Sequence, residues 1–412
     1  MGKRLWITVL AILTALLLPT AHSAIWSTPS QLTTDSITHV QPRICRDGTR
    51  MTYMANPGPF KTLQIFVVNS SSTGMKQLTN NTGSNLVPSI NGNGTLIVFY
   101  SNMGGAYQIY KIKSDGTGLT ALTSTTNAVN TYPAISSDGS MIAFESNRTG
   151  IMELYSLYSN GSRLTELTTN NGIHEHASIS SDGKLIAFDS NATMAGNREI
   201  FLVDSNGTGL HQLTSKPGDN ANPVISGNGK YVAFQSNSTG HSEIWLIGTD
   251  GSGLRQLTFD AVDDLLPSIN YDGSVIAYQT TINGYSQILV VNTSSGEVDQ
   301  LTNNQDNNFS PSVDGTGGHV AFQGSVAGFT QLFLAIQVSG TVGGATIPVN
   351  RFALLAPFLV AAAVSIGGVF IYARHRRKTN SQAFPSDILH HSLNNLSRTR
   401  LCRSKWRNNS TL

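Results

Sequence analysis

Cysteine and charge are both scarce in this 412-residue chain. Only two cysteines occur, and charged residues make up 12% of the sequence. Two cysteines cannot build the disulfide framework on which small exported domains rely, so a folded domain must be held by its core and topology. Low charge together with 39 glycines disfavours a helical protein and favours an all-β, turn-rich one.

Familiar catalytic motifs are also missing. The chain has neither a Gly-x-Ser-x-Gly nucleophile elbow nor a His-Glu-x-x-His metal motif. Its Gly-rich stretches, such as SDGTG and TDGSG, recur between short apolar runs. They are typical of strand-joining turns and not of phosphate-binding loops.

The N-terminus has the pattern of a secretory signal peptide, predicted over residues 1–23. Lys3 and Arg4 precede the apolar run LWITVLAILTALLLP, and small residues follow at Ala21 and Ser23. A membrane anchor is the alternative, which the shortness of the run disfavours.

A second apolar run, at residues 352–372, carries no charge and is followed at once by the basic stretch ARHRRK. About 20 helical residues span roughly 30 Å of hydrocarbon, so one transmembrane helix is predicted, with a buried core helix as the alternative. Positive flanks face the cytoplasm. We therefore expect a cell-membrane protein with residues 24–340 outside, a Gly-rich stalk at 341–351, and a cytoplasmic tail at 373–412.

The predicted tail is strongly basic, with nine Lys and Arg residues and one acid. Such a tail is expected to lie near anionic lipid headgroups, and no nucleic-acid partner is expected. The two cysteines, Cys45 and Cys402, fall on opposite sides of the predicted membrane span and cannot pair with each other.

A phrase close to Pro-x-Ile-x-x-Asp-Gly recurs at intervals of 44 to 46 residues. It starts at Pro42, Pro88, Pro133, Ala177, Pro223, Pro267 and Pro311. Two apolar strands and a Leu-Thr ending follow most copies, so each unit contains four short strands separated by Gly, Asn and Asp turns. This period and strand number predict a seven-bladed β-propeller.

The last unit lacks its Leu-Thr strand, and a single unattached Leu-Thr pair stands near the N-terminus, at Leu32 and Thr33. We therefore predict that the N-terminal segment supplies the outermost strand of the last blade and closes the ring, which leaves no open sheet edge. An open array of seven units is the alternative, and the split repeat argues against it.

The segment AISSDGSMIAFESNRTGIMELYSLYSNGSRLTELT, residues 134–168, resembles the WD-like propeller repeat of the TolB family. The resemblance covers about residues 31–340 and implies the propeller part of TolB without its N-terminal domain. The sequence departs from the family pattern in two respects. Ile135, Ile179 and Val313 stand where Trp is expected, and Arg148 alone keeps the family's Arg after Ser-Asn. A propeller fold by itself says little about function.

Seven polar residues stand three positions before each repeat start. They are His39, Asn85, Asn130, His174, Asn220, Asp264 and Asn308. We expect them to form a channel-mouth ring that binds a peptide, a sugar or a cation. The alternative is that each side chain caps its own loop or ties to the next blade, as Asn and Asp do in turns.

The tripeptide His174-Glu175-His176 breaks the repeat and is a candidate metal site. Imidazoles and a carboxylate can hold a transition metal, and His39 is a candidate third ligand beside His174 and His176. No cofactor is required by this sequence, and a divalent cation is the one candidate. Some propellers of similar repeat type are metal-dependent sugar-acid lyases.

Asn-x-Ser/Thr sequons are frequent in the predicted outer domain, and in an exported protein they are candidate glycosylation sites. They lie at Asn69, Asn80, Asn93, Asn147, Asn160, Asn191, Asn206, Asn237, Asn292 and Asn308.

Two functions follow from these observations. The first is a non-catalytic propeller at the cell surface that binds or scaffolds a protein or polysaccharide through its loop faces. The second is a metal-dependent surface enzyme, a lyase or hydrolase, that acts on polysaccharide. A purely structural envelope role is not separable from the first by sequence.

Overall fold

The structure, a computed structural model, describes residues 25–58, 62–169, 172–193, 196–215 and 217–338. These residues form seven antiparallel sheets, six of four strands and one of five. The predicted all-β, seven-bladed propeller is therefore confirmed. Each blade runs outward from an innermost strand that starts the repeat.

The first four blades follow one plan. Blade 1 contains β3 (His39–Ile44), β4 (Arg50–Ala55), β5 (Gln64–Asn69) and β6 (Lys76–Gln77); blade 2 contains β7 (Asn85–Ile90), β8 (Leu96–Ser101), β9 (Gln108–Lys113) and β10 (Thr120–Ala121); blade 3 contains β11 (Asn130–Ile135), β12 (Met141–Ser146), β13 (Glu153–Tyr158) and β14 (Thr165–Glu166); blade 4 contains β15 (His174–Ile179), β16 (Leu185–Ser190), β17 (Glu199–Asp204) and β18 (His211–Gln212).

The last three blades include the N-terminal strands. Blade 5 contains β19 (Asn220–Ile225), β20 (Tyr231–Ser236), β21 (Glu243–Gly248) and β22 (Arg255–Gln256); blade 6 contains β23 (Leu265–Ile269), β24 (Val275–Ile282), β25 (Tyr285–Asn292) and β26 (Val298–Gln300); blade 7 contains β27 (Asn308–Val313), β28 (His319–Val326) and β29 (Phe329–Val338), with β1 (Ile25–Trp26) and β2 (Ser30–Gln31) on its outer edge.

The N-terminal segment closes the ring as predicted. Gln31 pairs with Phe333, and the backbone N–H of Leu32 donates to the Leu332 carbonyl at 2.7 Å. The closing contact extends further than the sequence indicated, because Trp26 also pairs with Gln337. Both ends of the domain therefore lie in one blade.

The hydrophobic core lies between neighbouring blades. At the closing junction, Leu32 and Leu332 from blade 7 pack in one buried cluster with Met51 and Tyr53 from blade 1. Similar buried clusters occupy the other junctions. Each blade packs against a neighbouring blade on both of its faces, so side chains pointing to either face are buried. The middle strands of the blades are therefore apolar almost throughout.

The Asp-Gly turns carry a second, unexpected ring. At each turn a backbone N–H donates to a backbone carbonyl of the next blade, and the series ends with Gly315, whose N–H donates to the Arg46 carbonyl at 2.8 Å. The acceptor carbonyls around the ring are those of Gly92, Ser137, Ser181, Gly227, Tyr271, Gly315 and Arg46. Gly315 has no side chain here because a Cβ would lie 2.3 Å from the Arg46 Cγ.

Other predicted segments lie outside the described residues. These are the signal peptide at 1–23, the stalk at 341–351, the membrane span at 352–372 and the tail at 373–412. Among the residues that the structure describes, no helix has the length and apolar character needed to span a bilayer.

Candidate functional site

A cavity of about 380 Å³ lies at the centre of the ring. All seven innermost strands contribute to its wall. Its volume falls in the range typical of small-ligand sites. It is therefore the candidate binding site.

The rim of this cavity is built by seven backbone bulges. In every innermost strand the pairing register shifts just before the repeat proline or its equivalent. Proline has no N–H and is tolerated at such bulges. The residue before it takes a left-handed conformation, with φ between 47° and 57°. These seven rim residues are Gln41, Val87, Tyr132, His176, Asn222, Leu266 and Ser310.

Side chains of the preceding blade hold most of these bulges. The His176 N–H donates to the Glu145 carboxylate at 3.0 Å, and the Asn222 N–H donates to Asp189 at 2.9 Å. The Gln41 N–H donates to the Gln323 side chain at 2.6 Å in the same way. These bonds explain buried polar groups on the second strands, because a buried carboxylate or amide needs partners.

The rim combines apolar and polar side chains that reach solvent. Tyr132 and Leu266 are 46% and 41% exposed, and His176 is also exposed. Val87 is β-branched, and a left-handed φ of 47° is strained for such a residue. Strained, exposed positions of this kind are common where a fold presents a binding surface.

Arg43 is the one fixed positive charge on the cavity wall. Its side chain is exposed to the cavity, and within the described residues its guanidinium has no hydrogen bond, ion pair or ring contact. Its position deep inside the ring lowers the pKa of the guanidinium through desolvation. An unpaired guanidinium presents a fork of donors that matches a carboxylate or phosphate.

A guanidinium stack covers the Asp-Gly end of the ring. The Arg46 Cζ lies 3.7 Å from the centre of the Tyr271 ring. This contact reaches from blade 1 to blade 6, over Gly315 of blade 7.

The predicted channel-mouth ring is corrected by the structure. All seven residues occupy equivalent places, but each is at most 2% exposed, and none belongs to the cavity wall. His39, Asn85, Asn130, His174, Asn220, Asp264 and Asn308 instead meet the preceding blade or its loop. The rim that a ligand would touch lies two residues further along each strand.

The buried ring residues form what we call junction pairs. Each pair sets one of them opposite a Gln or Glu on the third strand of the preceding blade. Asn130 donates to Gln108 at 2.8 Å, and Asn220 donates to Glu199 at 2.8 Å. This is the alternative considered above, in which repeated polar residues tie one blade to the next.

The three histidines predicted as metal ligands are not brought together. His39 bonds Asp35 at 2.6 Å, and the His174 Nε2 lies 3.3 Å from the Glu153 carboxylate. His176 bonds Asp189 at 2.8 Å. No described cluster of potential ligands contains two of these histidines.

His176 does belong to a cluster with Glu175 and Asp189, whose ligand atoms lie within 4.8 Å of one another. Arg198 occupies this cluster, because its guanidinium bonds Glu175 at 2.6 Å and also bonds Asp189. Asp189 additionally accepts the Asn222 N–H. The four side chains form a satisfied ion-pair network, which does not fit a metal ion.

The same network controls the charge of the rim. Burial lowers the pKa of His176, but the hydrogen bond and charge of Asp189, with Glu145 and Glu175, outweigh burial and raise the pKa overall. Burial raises the pKa of Glu145 to about 7. Both shifts favour the protonated forms, so the rim near blade 4 is less negative than the ordinary pKa values of these groups would make it.

Most candidate glycosylation sites are accessible. Asn80, Asn93, Asn160, Asn206, Asn237 and Asn292 are exposed, whereas Asn69, Asn147 and Asn191 are half-buried. Asn308 is 2% exposed and donates to Asn304 at 2.8 Å, so the fold has no room for a glycan there.

Several sequons also serve as turns. Asn160 accepts from the Ser162 hydroxyl as Asp115 accepts from Thr117 at the equivalent turn. The Asn-Gly-Ser pattern therefore has a local structural cause, whether or not a glycan is attached.

Comparison with known proteins gives one family. The family model described as the TolB β-propeller domain matches residues 27–215 and 190–353. The chain belongs to the TolB β-propeller family. No curated protein matches the sequence at a significant level.

Solved structures agree on the fold. TolB from Acinetobacter baumannii is 21% identical, with a TM-score of 0.50, and the match covers 65% of this chain and 67% of that protein. An oligogalacturonate lyase in complex with manganese is 14% identical, with a TM-score of 0.62 over 77% of this chain and 99% of that one. At these identities the likeness shows the fold alone.

A third neighbour sharpens the account of ring closure. The β-propeller domain of the trilobed protease from Pyrococcus furiosus, described as having an open velcro topology, is 12% identical with a TM-score of 0.56, over 74% of this chain and 98% of that one. This TolB-family chain differs from it, because strands from both ends of the domain meet in blade 7.

Proposed function

We propose that this TolB-family propeller is a non-catalytic binding module at the cell surface. The rim of the central cavity docks a protein or glycan partner, and an acidic group of that partner meets Arg43. The export signal at 1–23 and the apolar segment at 352–372 support display outside a membrane, with the basic tail inside near anionic lipid.

The unpaired Arg43 guanidinium carries this proposal. Among the described residues, the cavity wall has no carboxylate to pair with this guanidinium. An anionic group of a partner would therefore form the strongest hydrogen bonds with it. Tyr132 and Leu266 on the rim add exposed apolar surface, and aromatic residues of this kind are common anchors in recognition. A carboxylate is common to acidic peptides and to uronic-acid glycans, and both are therefore candidate ligands.

Site-specific crosslinking on intact cells tests the docking face. A photoreactive amino acid at Tyr132 should capture the partner, because this side chain stands on the rim. The matched control places the same group at Leu119, which is similarly exposed at 45% but lies at the outer edge of blade 2. Equal capture from both positions, or none from Tyr132, would contradict the proposal.

Binding assays then separate the two sources of the carboxylate. Binding of acidic peptides or of uronic-acid oligosaccharides to the purified chain should fall on changing Arg43→Gln. The class that responds identifies the ligand. Binding by neither class, or binding unaffected by the change, would contradict a role for Arg43.

The second candidate is a metal-dependent enzyme acting on polysaccharide. Among the described residues, the cluster of Glu175, His176 and Asp189 is the group of potential ligands that includes a residue of the cavity wall, but Arg198 already bonds two of its carboxylates. Metal analysis of the purified chain tests this function. A stoichiometric divalent ion lost in His176→Ala would support it, and a metal content unchanged by that substitution would exclude this cluster as its centre.

A further inference from the structure

One junction pair in the ring departs from the chemistry of the others. Where the preceding blade supplies Gln, its amide donates to loop carbonyls, as with Gln64, whose Nε2 donates to two of them. In three of these pairs the partner amide of Asn85, Asn130 or Asn308 donates to the Gln side-chain oxygen. Where the preceding blade supplies Glu, its partner is a donor in two cases, Asn220 opposite Glu199 and His174 opposite Glu153. A buried carboxylate is thereby matched.

The junction of blades 5 and 6 instead sets acid against acid. Glu243 stands opposite Asp264, and Asp260 from the intervening loop joins them, with one carboxylate oxygen of each within 4.8 Å of the others. Glu243 is 2% exposed and Asp264 is 0% exposed. In the described part of the chain, neither a lysine nor an arginine pairs with these three acids.

Asp264 supplies the second, independent observation. Neither of its buried carboxylate oxygens accepts a hydrogen bond. The hydroxyls of Thr258 and Thr280 lie near it, but the Thr258 hydroxyl donates to Glu243 at 2.5 Å. The Thr280 hydroxyl, which has no other partner, is therefore, among the described residues, the one nearby donor left for two buried carboxylate oxygens. An acceptor-only group with so few donors, fully removed from water, requires a proton or a cation.

We propose that Glu243, Asp260 and Asp264 bind one hard divalent cation, of the calcium class, between blades 5 and 6. Oxygen-only ligands select such cations over zinc or copper. Calcium–oxygen distances are about 2.3–2.6 Å, so two ligands of one ion lie up to about 5 Å apart. The spacing of the three carboxylates meets this condition.

The cation replaces the donor that the equivalent junctions possess, and it ties blade 5 to blade 6 as Asn220 ties blade 4 to blade 5. The affinity expected for such a site in an exported module is on the order of 10⁻⁴–10⁻³ M. This inference does not depend on the proposed binding function, because the cluster lies apart from the cavity wall.

A shared proton is the competing way to satisfy the pair. Burial, with the charges of Asp260 and its partner, raises the pKa of Asp264 to about 7, and burial raises the pKa of Glu243 to about 7. The other titratable groups that face the cluster are Tyr278, Asp263 and His241. A cation bound by the same oxygens would displace this proton, so its binding should release protons.

The test is calcium titration of the purified full-length chain at pH 8 after chelation, followed by calorimetry and by melting temperature. One ion should bind, and calcium at ten times its Kd should raise the melting temperature by about 3 °C. Terbium provides a local readout, because its luminescence is sensitised by a nearby aromatic side chain such as Tyr278, and calcium should compete with it.

The informative variant is Asp264→Asn, which reproduces the Asn220–Glu199 pair and should therefore fold. It should remove the calcium-dependent shift and the terbium signal while keeping the calcium-free melting temperature at or above that of the unmodified chain. Asp263→Asn is the matched control, since its carboxylate lies outside the cluster, and it should keep both responses. No shift with 10 mM calcium, or a shift that survives Asp264→Asn, would overturn the proposal.

Discussion

The junction of blades 7 and 1 and the junction of blades 5 and 6 occupy equivalent places in the ring but use opposite chemistry. At the first, the Gln331 amide donates to the Asp35 and Ile37 carbonyls at 3.0 Å, above an apolar cluster that includes Leu32. At the second, Asp264 meets another acid. Equivalent positions in the ring therefore form a structural contact between blades 7 and 1 and a candidate ion site between blades 5 and 6.

This difference shows how a repeat protein separates stability from function. At the junction on which ring closure depends, the Gln331 amide donates to backbone carbonyls, and, among the residues described there, no acid stands against another acid. A junction that is not needed for ring closure can hold two acids without a donor between them, because the other six junctions keep the ring assembled. Four predictions test this reading, from the largest expected effect to the smallest.

Removal of the closing strand should have the largest effect. Deleting residues 31–34 exposes the edge of β29 and removes Leu32, whose burial contributes about 1.5–3 kcal/mol, and each lost ladder bond removes about 1 kcal/mol. We expect the melting temperature to fall by many degrees in thermal denaturation. Leu32→Ala should destabilise less, and Leu164→Ala, at a half-exposed position, should have little effect. An unchanged melt after the deletion would contradict closure.

A second acidic junction should be strongly destabilising. Asn220→Asp places a carboxylate against Glu199 at a junction where, among the described residues, no three acids are grouped as Glu243, Asp260 and Asp264 are, and a buried unpaired charge costs about 3–5 kcal/mol. Chemical denaturation at pH 8 measures this loss, which should be smaller at pH 5, where one proton satisfies the pair. Asn220→Ser, which keeps a donor, is the matched control. Equal stability of the two variants at pH 8 would show that the junction pairs do not need complementary groups.

The calcium-free chain should become less stable as the pH rises. Asp264 and Glu243 have folded-state pKa values of about 7, above those of unfolded Asp and Glu, so the folded state binds more protons between about pH 4 and 7. Their contribution is complete below the unfolded pKa values and is lost as the pH passes 7. Denaturation at pH 5 and pH 8 should therefore show a decrease on the order of 2 kcal/mol, which Asp264→Asn reduces and calcium reverses at pH 8. A rise in stability over this range would contradict the assignment.

Loss of Arg43 should change binding and leave stability nearly constant. Because its guanidinium has no partner in the described residues, Arg43→Gln should alter the free energy of unfolding by less than about 0.5 kcal/mol. Affinity for an anionic ligand should fall about 10- to 100-fold, the equivalent of one charged hydrogen-bonded contact. Lys184→Gln, whose side chain is exposed next to an Asp-Gly turn, is the control for net charge. A large loss of stability in Arg43→Gln would mean that this residue is structural.

The sequence analysis placed the candidate binding ring two residues before the residues that line the cavity. His39, Asn85 and their equivalents are restricted to a few hydrogen-bonding types, which suggested a shared binding role. These residue types are restricted because each of the seven residues lies in an equivalent junction between two blades. The rim residues, such as Gln41, Val87 and Tyr132, have no residue type in common. The residue before the repeat proline differs in type from one repeat to the next. This variation was the sequence signal that these positions form a surface whose chemistry can differ in each blade.

The three histidines predicted as metal ligands are held apart for a related reason. His174 and His176 are two residues apart in the sequence, but the bulge between them directs His174 into a buried junction and His176 onto the rim. Period-2 alternation holds for regular strands, and a bulge alters the direction of the following side chains. No count of histidines reveals that a register shift lies between them.

The sequence alone determined the number of blades, their strand order and the closure by Leu32 and Thr33, because these depend on periodic apolar burial and on one displaced half-repeat. Only the tertiary structure decided which polar residues face the cavity and which face a neighbouring blade. Those outcomes depend on seven local bulges and on contacts between residues tens of positions apart, such as Glu243 and Asp264. The physical reason is that burial follows from a repeating pattern along the chain, whereas the pairing of charges follows from distances across it.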